Sequence, residues 1–79
     1  MKRQGRLDEA LDFYNRAIEL DPANSVILYN TGVLLNIRSE YEQAVGTLQA
    51  SIRNNPNNVY AYLALGDAYE KQGELHLAL

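Results

Sequence analysis

The sequence predicts an all-α fold, a solenoid of antiparallel helix pairs, and three observations carry that reading. Residues recur at a fixed offset of 34: Pro22 as Pro56, Gly32 as Gly66, Asn24 as Asn58, Ile18 as Ile52, and Ala10 as Ala44 and Ala78. Between these landmarks the apolar residues keep the spacing of a helix face rather than the alternation of a strand. The runs are separated by Pro, Gly and Asn, residues that end helices and build turns. A repeat of this length is one supersecondary unit that buries its apolar face on the next copy. Residues 25–58 form one complete unit. Residues 1–24 hold the second helix of a preceding unit, and 59–79 hold the first helix and the start of the second of a following one.

Each element has a local reason. Residues 7–20 form a helix because Leu7, Ala10, Leu11, Tyr14, Ala17 and Ile18 share one face. Asp12 stands i, i+4 to Arg16, the spacing of a helical ion pair. Asp21-Pro22 stops this helix, since the residue before a proline is pushed out of the α region. Residues 25–38 form the next helix, with Asn24 as N-cap. This helix is apolar on more than one face, and Gly32 within it marks a close helix approach that offsets its cost of about 1 kcal/mol. Ser39 and Glu42 have the spacing of a capping box that opens a helix over 40–54. That helix repeats the first stripe as Tyr41, Ala44, Val45, Leu48, Ser51 and Ile52. Gly46 in its middle reads as a second close-packing position. Residues 59–72 form the last full helix. Gly5 and Gly73 occupy equivalent positions and read as turn glycines between paired helices, in the left-handed conformation of a helix C′ residue.

This pattern resembles the tetratricopeptide repeat, a helix–turn–helix unit of 34 residues. The family places a large residue, Leu-Gly, Tyr, Ala, an aromatic, Ala and Pro at fixed positions. The central unit holds Leu28, Thr31-Gly32, Leu35, Ala44, Leu48, Ser51 and Pro56 there. The first unit supplies Ala10, Tyr14, Ala17 and Pro22, and the third supplies Tyr62, Leu65-Gly66, Tyr69 and Ala78. Thr31, Leu35, Leu48, Ser51 and the turn residue Ser39 depart from the pattern. The resemblance implies a right-handed α-solenoid that acts as a non-enzymatic protein–protein interaction scaffold. A partner peptide or helix then lies in the concave groove lined by the first helix of each unit. Transferred by register, the groove residues are Val26, Tyr29, Asn30, Val33, Asn36 and Ile37, with Tyr60, Leu63, Ala64, Asp67, Glu70 and Lys71 one repeat later. Tyr29 and Tyr60 are aromatics that the core pattern does not demand, and such residues anchor interfaces. Asn30 and Asn36 have the chemistry to hydrogen-bond a peptide backbone. One branch of the family grips carboxylate tails with a basic clamp. Asn30 matches one clamp position, but Tyr60 and Ala64 stand where basic residues belong, so that ligand is set aside. Asp67 and Glu70 favour a neutral or basic segment.

Composition narrows the function further. Seven Lys and Arg against ten Asp and Glu give a net charge of −3, which argues against a nucleic-acid partner. With no Cys and a single histidine, His76, no thiolate or multi-histidine metal site is expected, and no cofactor. The carboxylate pairs Asp8/Asp12 and Glu70/Glu74 read as solvated helix faces, and no nucleophile, base and orienter can be assembled, so no enzyme activity is expected. No apolar run reaches the ~20 residues of a membrane span. None follows Lys2, Arg3 and Arg6 as a signal peptide requires, which leads to the expectation of a cytoplasmic protein. Two further readings stand beside the scaffold. One is self-assembly into dimers or filaments through uncapped repeat ends; the other is a piece of the regulatory array of a larger enzyme.

Overall fold

The computed structural model describes residues 2–78, and the side chains of 6–74. Among the described residues the order is α1 (Lys2–Leu20), α2 (Ser25–Ile37), α3 (Tyr41–Asn54) and α4 (Val59–Ala78), with no strand. Helix α2 is the hub: it packs against α1, α3 and α4, while α3 also packs against α4. The result is an all-α helical repeat, flat rather than round, with extents of 39 × 33 × 16 Å. It exposes 5673 Å², against about 4,800 Å² for a compact protein of this mass. An open array of helices has fewer neighbours per helix, and the extra surface follows from that.

The core is one cluster that runs through all four helices: Leu11, Leu35, Ala44, Leu48, Ala64 and Ala68. Leu11, Leu35, Ala44 and Leu48 are positions of the repeat pattern, and Ala64 and Ala68 of α4 join them. Leu48 is fully buried and lies over Gly32, where an added Cβ would stand 2.5 Å from its Cγ and Cδ2 atoms. The close approach expected at Gly32 is therefore between α2 and α3. The two polar departures from the repeat pattern in this pair, Thr31 and Ser51, are both satisfied. Buried Thr31 donates to its own helix at Ile27 O, 2.8 Å. Ser51, buried at the end of α3, donates to Ser25 O at 2.8 Å, and Ser25 Oγ reaches Ser51 O at 3.0 Å. This reciprocal pair ties the start of α2 to the end of α3, and a buried hydroxyl without a partner is costly.

The ends of α2 are fixed by side chain and backbone in turn. Asn24 Oδ1 accepts from the amides of Val26 (3.0 Å) and Ile27 (3.2 Å), the N-cap that the sequence implies. One repeat later Asn58 Oδ1 accepts from Ala61 N at 3.3 Å. The far end differs from expectation. Ser39 opens no capping box; it closes α2. Its φ is 65°, its amide bonds Asn36 O at 3.0 Å, and the amide of Glu40 bonds Leu35 O at 2.9 Å. That is a Schellman stop with serine in the left-handed position usually held by glycine. Helix α3 starts from Glu40 without a side-chain cap. Asp12 and Arg16 form no ion pair among those found; Arg38 instead bridges Asp8 of α1 at 2.9 Å and Glu40 at 3.0 Å. Asp8 is exposed, so its contact contributes less than about 1 kcal/mol, whereas the Glu40 oxygen that meets Arg38 is buried.

Two further expectations are corrected. Neither Gly5 nor Gly73 makes a turn: α1 and α4 run straight through them, and no glycine has positive φ. A turn would open the backbone bonds that span the glycine, and retaining glycine inside a helix costs only about 1 kcal/mol. The stop at Ser39 survives because α3 packs back onto α2. Among the described residues no return helix packs back onto α4, and the helix runs straight. Gly46 is the second correction, since nothing stands within 4 Å of an added Cβ there. It borders an open cleft of about 520 Å³ between α1 and α3, floored by Leu28, Thr31 and Leu35. Gly46→Ala therefore gains helix propensity without a clash. We expect it to raise stability by about 0.5–1 kcal/mol, read as a higher urea midpoint. A lower midpoint would mean that the cleft closes in solution.

Candidate protein-binding face

Helices α2 and α4 lie side by side on one surface, held in register by Asn36 Nδ2, which donates to Ala64 O at 3.1 Å. Small residues permit this approach: Ala61, Ala64 and Ala68 of α4 are all buried. The periodicity then sorts the sequence-derived groove residues into three groups. Val26 and Ile37 of α2 and Tyr60 and Leu63 of α4 are exposed apolar side chains, Tyr60 at 68%. Asp67, Glu70 and Lys71 are exposed charges beyond them, with Lys71 Nζ 3.6 Å from Glu74 Oε1. Tyr29, Asn30 and Val33 are half-buried between the rows, with Tyr29 and Val33 packed on the core cluster.

Asn36 and Ala64 have a different role. Ala64 is 8% exposed and belongs to the core. Asn36 uses its amide on Ala64 O, while its Oδ1 is buried with no hydrogen-bond partner. These two residues set the distance between α2 and α4 instead of facing a ligand. The repeat register could not reveal this, because it assigns whole turns of helix and not the direction of one side chain.

The face carries exposed aliphatic groups on both helices and an exposed tyrosine and exposed carboxylates on α4. Among the described residues no three His, Cys, Asp or Glu side chains could hold a metal ion together, and no helix is long and apolar enough to cross a membrane. Sequence reading missed the α1–α3 cleft, since it depends on how far α1 leans from α3. Gly46, read from the sequence as a close-packing position, lines that cleft instead.

Helix pairs repeating in register, joined through small residues and presenting an open face, define a helical-repeat protein. A family model described as TPR repeat matches residues 2–36 and 34–73, and the chain belongs to the tetratricopeptide-repeat family. Similar proteins include the BBSome complex member BBS4 of Bos taurus, 32% identical over 96% of this chain. The TPR repeat-containing thioredoxin TTL4 of Arabidopsis thaliana is 34% identical over 94% of it. TPR repeat-containing protein MJ1428 of Methanocaldococcus jannaschii is 27% identical over 95%. The chain spans only 15%, 11% and 13% of those proteins. Repeats of this family generally mediate contacts between proteins.

Proposed function

We propose that the chain is a non-enzymatic scaffold that holds a neutral or basic partner segment along the α2–α4 face. The observation that carries this reading is the pair of exposed apolar rows, Val26 with Ile37 and Tyr60 with Leu63, beside Asp67 and Glu70. Apolar groups supply the contact area and the carboxylates select the charge of the partner. Two amphipathic peptides with the same apolar residues, one carrying lysines and the other glutamates, test it by titration. The lysine peptide is expected to bind, and Tyr60→Ala to weaken it about tenfold or more with helicity unchanged. Preference for the glutamate peptide would overturn the assignment.

Self-assembly is a second reading, favoured by a separate observation. Tyr62 and Tyr69 leave another side of α4 half open. The small share of each relative that the chain spans favours its being part of a longer array. The division into units 1–24, 25–58 and 59–79 fits that reading, as does attachment to a larger enzyme.

A further inference from the structure

The cleft between α1 and α3 is separate from the α2–α4 face. Its floor is Leu28, Thr31 and Leu35 of α2, which the helical period places on the side away from exposed Val26 and Ile37. Floor and walls all lie between Leu11 and Ala50, so the cleft is internal to the array. Every residue that lines it is uncharged, in a chain of which 22% is charged. Leu11 and Ile18 make the α1 wall apolar above the leucines of the floor, and Asn15, Gln43 and Thr47 form neutral polar shoulders. A charge carried inside would lose its water and find no partner.

The lips of the cleft are charged, and unevenly so. On α1, Asp8, Asp12 and Glu19 stand at i−7, i−3 and i+4 from Asn15, so they share its stripe, and all three are exposed. On α3, exposed Glu42 stands at i−4 from Gly46 and exposed Arg53 at i+7. The two helices are successive copies of one element and run the same way, so the repeat sets Asp8 level with Glu42 and Glu19 level with Arg53. Arg38 already holds Asp8 at 2.9 Å. Glu19 is balanced by Arg53 across the cleft. Asp12 and Glu42 remain, at the end where α3 starts, and neither takes part in the ion pairs found.

We propose that the α1–α3 cleft seats an amphipathic helix of another protein, with its apolar stripe on Leu28 and Leu35 and with Lys or Arg at the end that meets Asp12 and Glu42. The walls of the cleft are helices whose amides and carbonyls bond within themselves. An extended segment would find no main-chain partner there, whereas a helix arrives with its own main chain satisfied. Gly46 lets it approach α3, because no side chain stands at that point of the wall. The uncharged lining takes the stripe, and the acidic lips select the sign of the charges beside it. The chain then holds one partner on each side of α2.

Three peptides test this by titration into the 79-residue chain, followed through its backbone amide resonances. One is a helical peptide with a leucine stripe and lysines at one end. The second carries glutamates in place of the lysines, and the third is the lysine peptide scrambled so that the stripe is lost. Shifts at Asn15, Thr47 and Ala50 report the cleft, and shifts at Tyr60 and Leu63 report the α2–α4 face. The lysine peptide is expected to shift the cleft resonances, less so as salt rises. Gly46→Leu, which fills the cleft from a position with nothing within 4 Å, should weaken this binding at least about tenfold with helicity retained. Asp12→Lys should weaken it and flatten its salt dependence, and Tyr60→Ala should leave it unchanged. Shifts confined to Tyr60 and Leu63 would overturn the inference and leave the α2–α4 assignment standing; shifts confined to the cleft would do the reverse. Cleft binding that survives Gly46→Leu, or an absence of cleft shifts with any peptide, overturns the site. Equal cleft shifts from the glutamate peptide overturn the charge of the occupant, and equal shifts from the scrambled peptide overturn its helical form.

Discussion

Leu48→Ala is expected to lower stability by about 2–5 kcal/mol, the range for removing a fully buried leucine. Leu48 has no exposed surface, belongs to the core cluster and is the atom contact that spaces α3 from α2. A chain of this length has roughly 4–12 kcal/mol in total, and its open shape places it toward the low end. The substitution should therefore leave a measurable fraction unfolded at room temperature, read as lost helical circular dichroism and an early, shallow urea transition. Leu63→Ala provides the comparison. Leu63 is exposed on the α2–α4 face, so its loss should stay within about 0.5 kcal/mol while binding to that face falls. Equal effects at the two positions would mean that the core is not where the buried surface places it.

The contrast between these leucines was legible in the sequence, because the 34-residue register put Leu48 on a stripe position and Leu63 off it. The same register fixed α2 and α3 to within a residue or two, and Asn24 as a cap. It worked there because both helices are flanked, so that pattern and packing agree. It failed at Gly5 and Gly73, where the pattern asks for a turn but no return helix stabilises one. It also misread Ser39, because a serine followed three residues later by a glutamate has the spacing of a capping box. The Schellman bonds to Asn36 and Leu35 depend on φ at Ser39, which spacing does not report. On the proposed binding face, the exposure of Val26, Ile37, Tyr60 and Leu63 follows from periodicity. The inward roles of Asn36 and Ala64 depend on how closely α4 approaches α2, and that distance is set by three alanines whose smallness carries no label in the pattern.

Glycine at equivalent repeat positions should respond to alanine with opposite signs, and the reason lies in what stands over each. At Gly32 the new Cβ would come within 2.5 Å of Leu48 Cδ2 and of its branch atom Cγ, in a side chain with no exposed surface. Either Leu48 leaves its rotamer or α3 backs away from α2, and overpacking of this kind costs about 1–3 kcal/mol. The gain in helix propensity is about 1 kcal/mol, so Gly32→Ala should come out destabilising, by up to about 2 kcal/mol. At Gly66 the same gain meets open space, and the monomer should be stabilised. A double-mutant cycle separates clash from propensity. In Gly32→Ala with Leu48→Ala the added methyl enters the volume that Leu48 vacates, so the pair should be less destabilised than the sum of its parts by about 1 kcal/mol or more. Strict additivity would show that Gly32 and Leu48 do not touch in solution. In that case the α2–α3 spacing would be wider than drawn. Leu48 lies in the same cluster as Ala64 and Ala68 of α4, so a displaced α3 would also disturb the seat of α4. The exposed rows of the proposed binding face are tied to that seat through Asn36, so on that proposal partner affinity is a second readout of the same glycine.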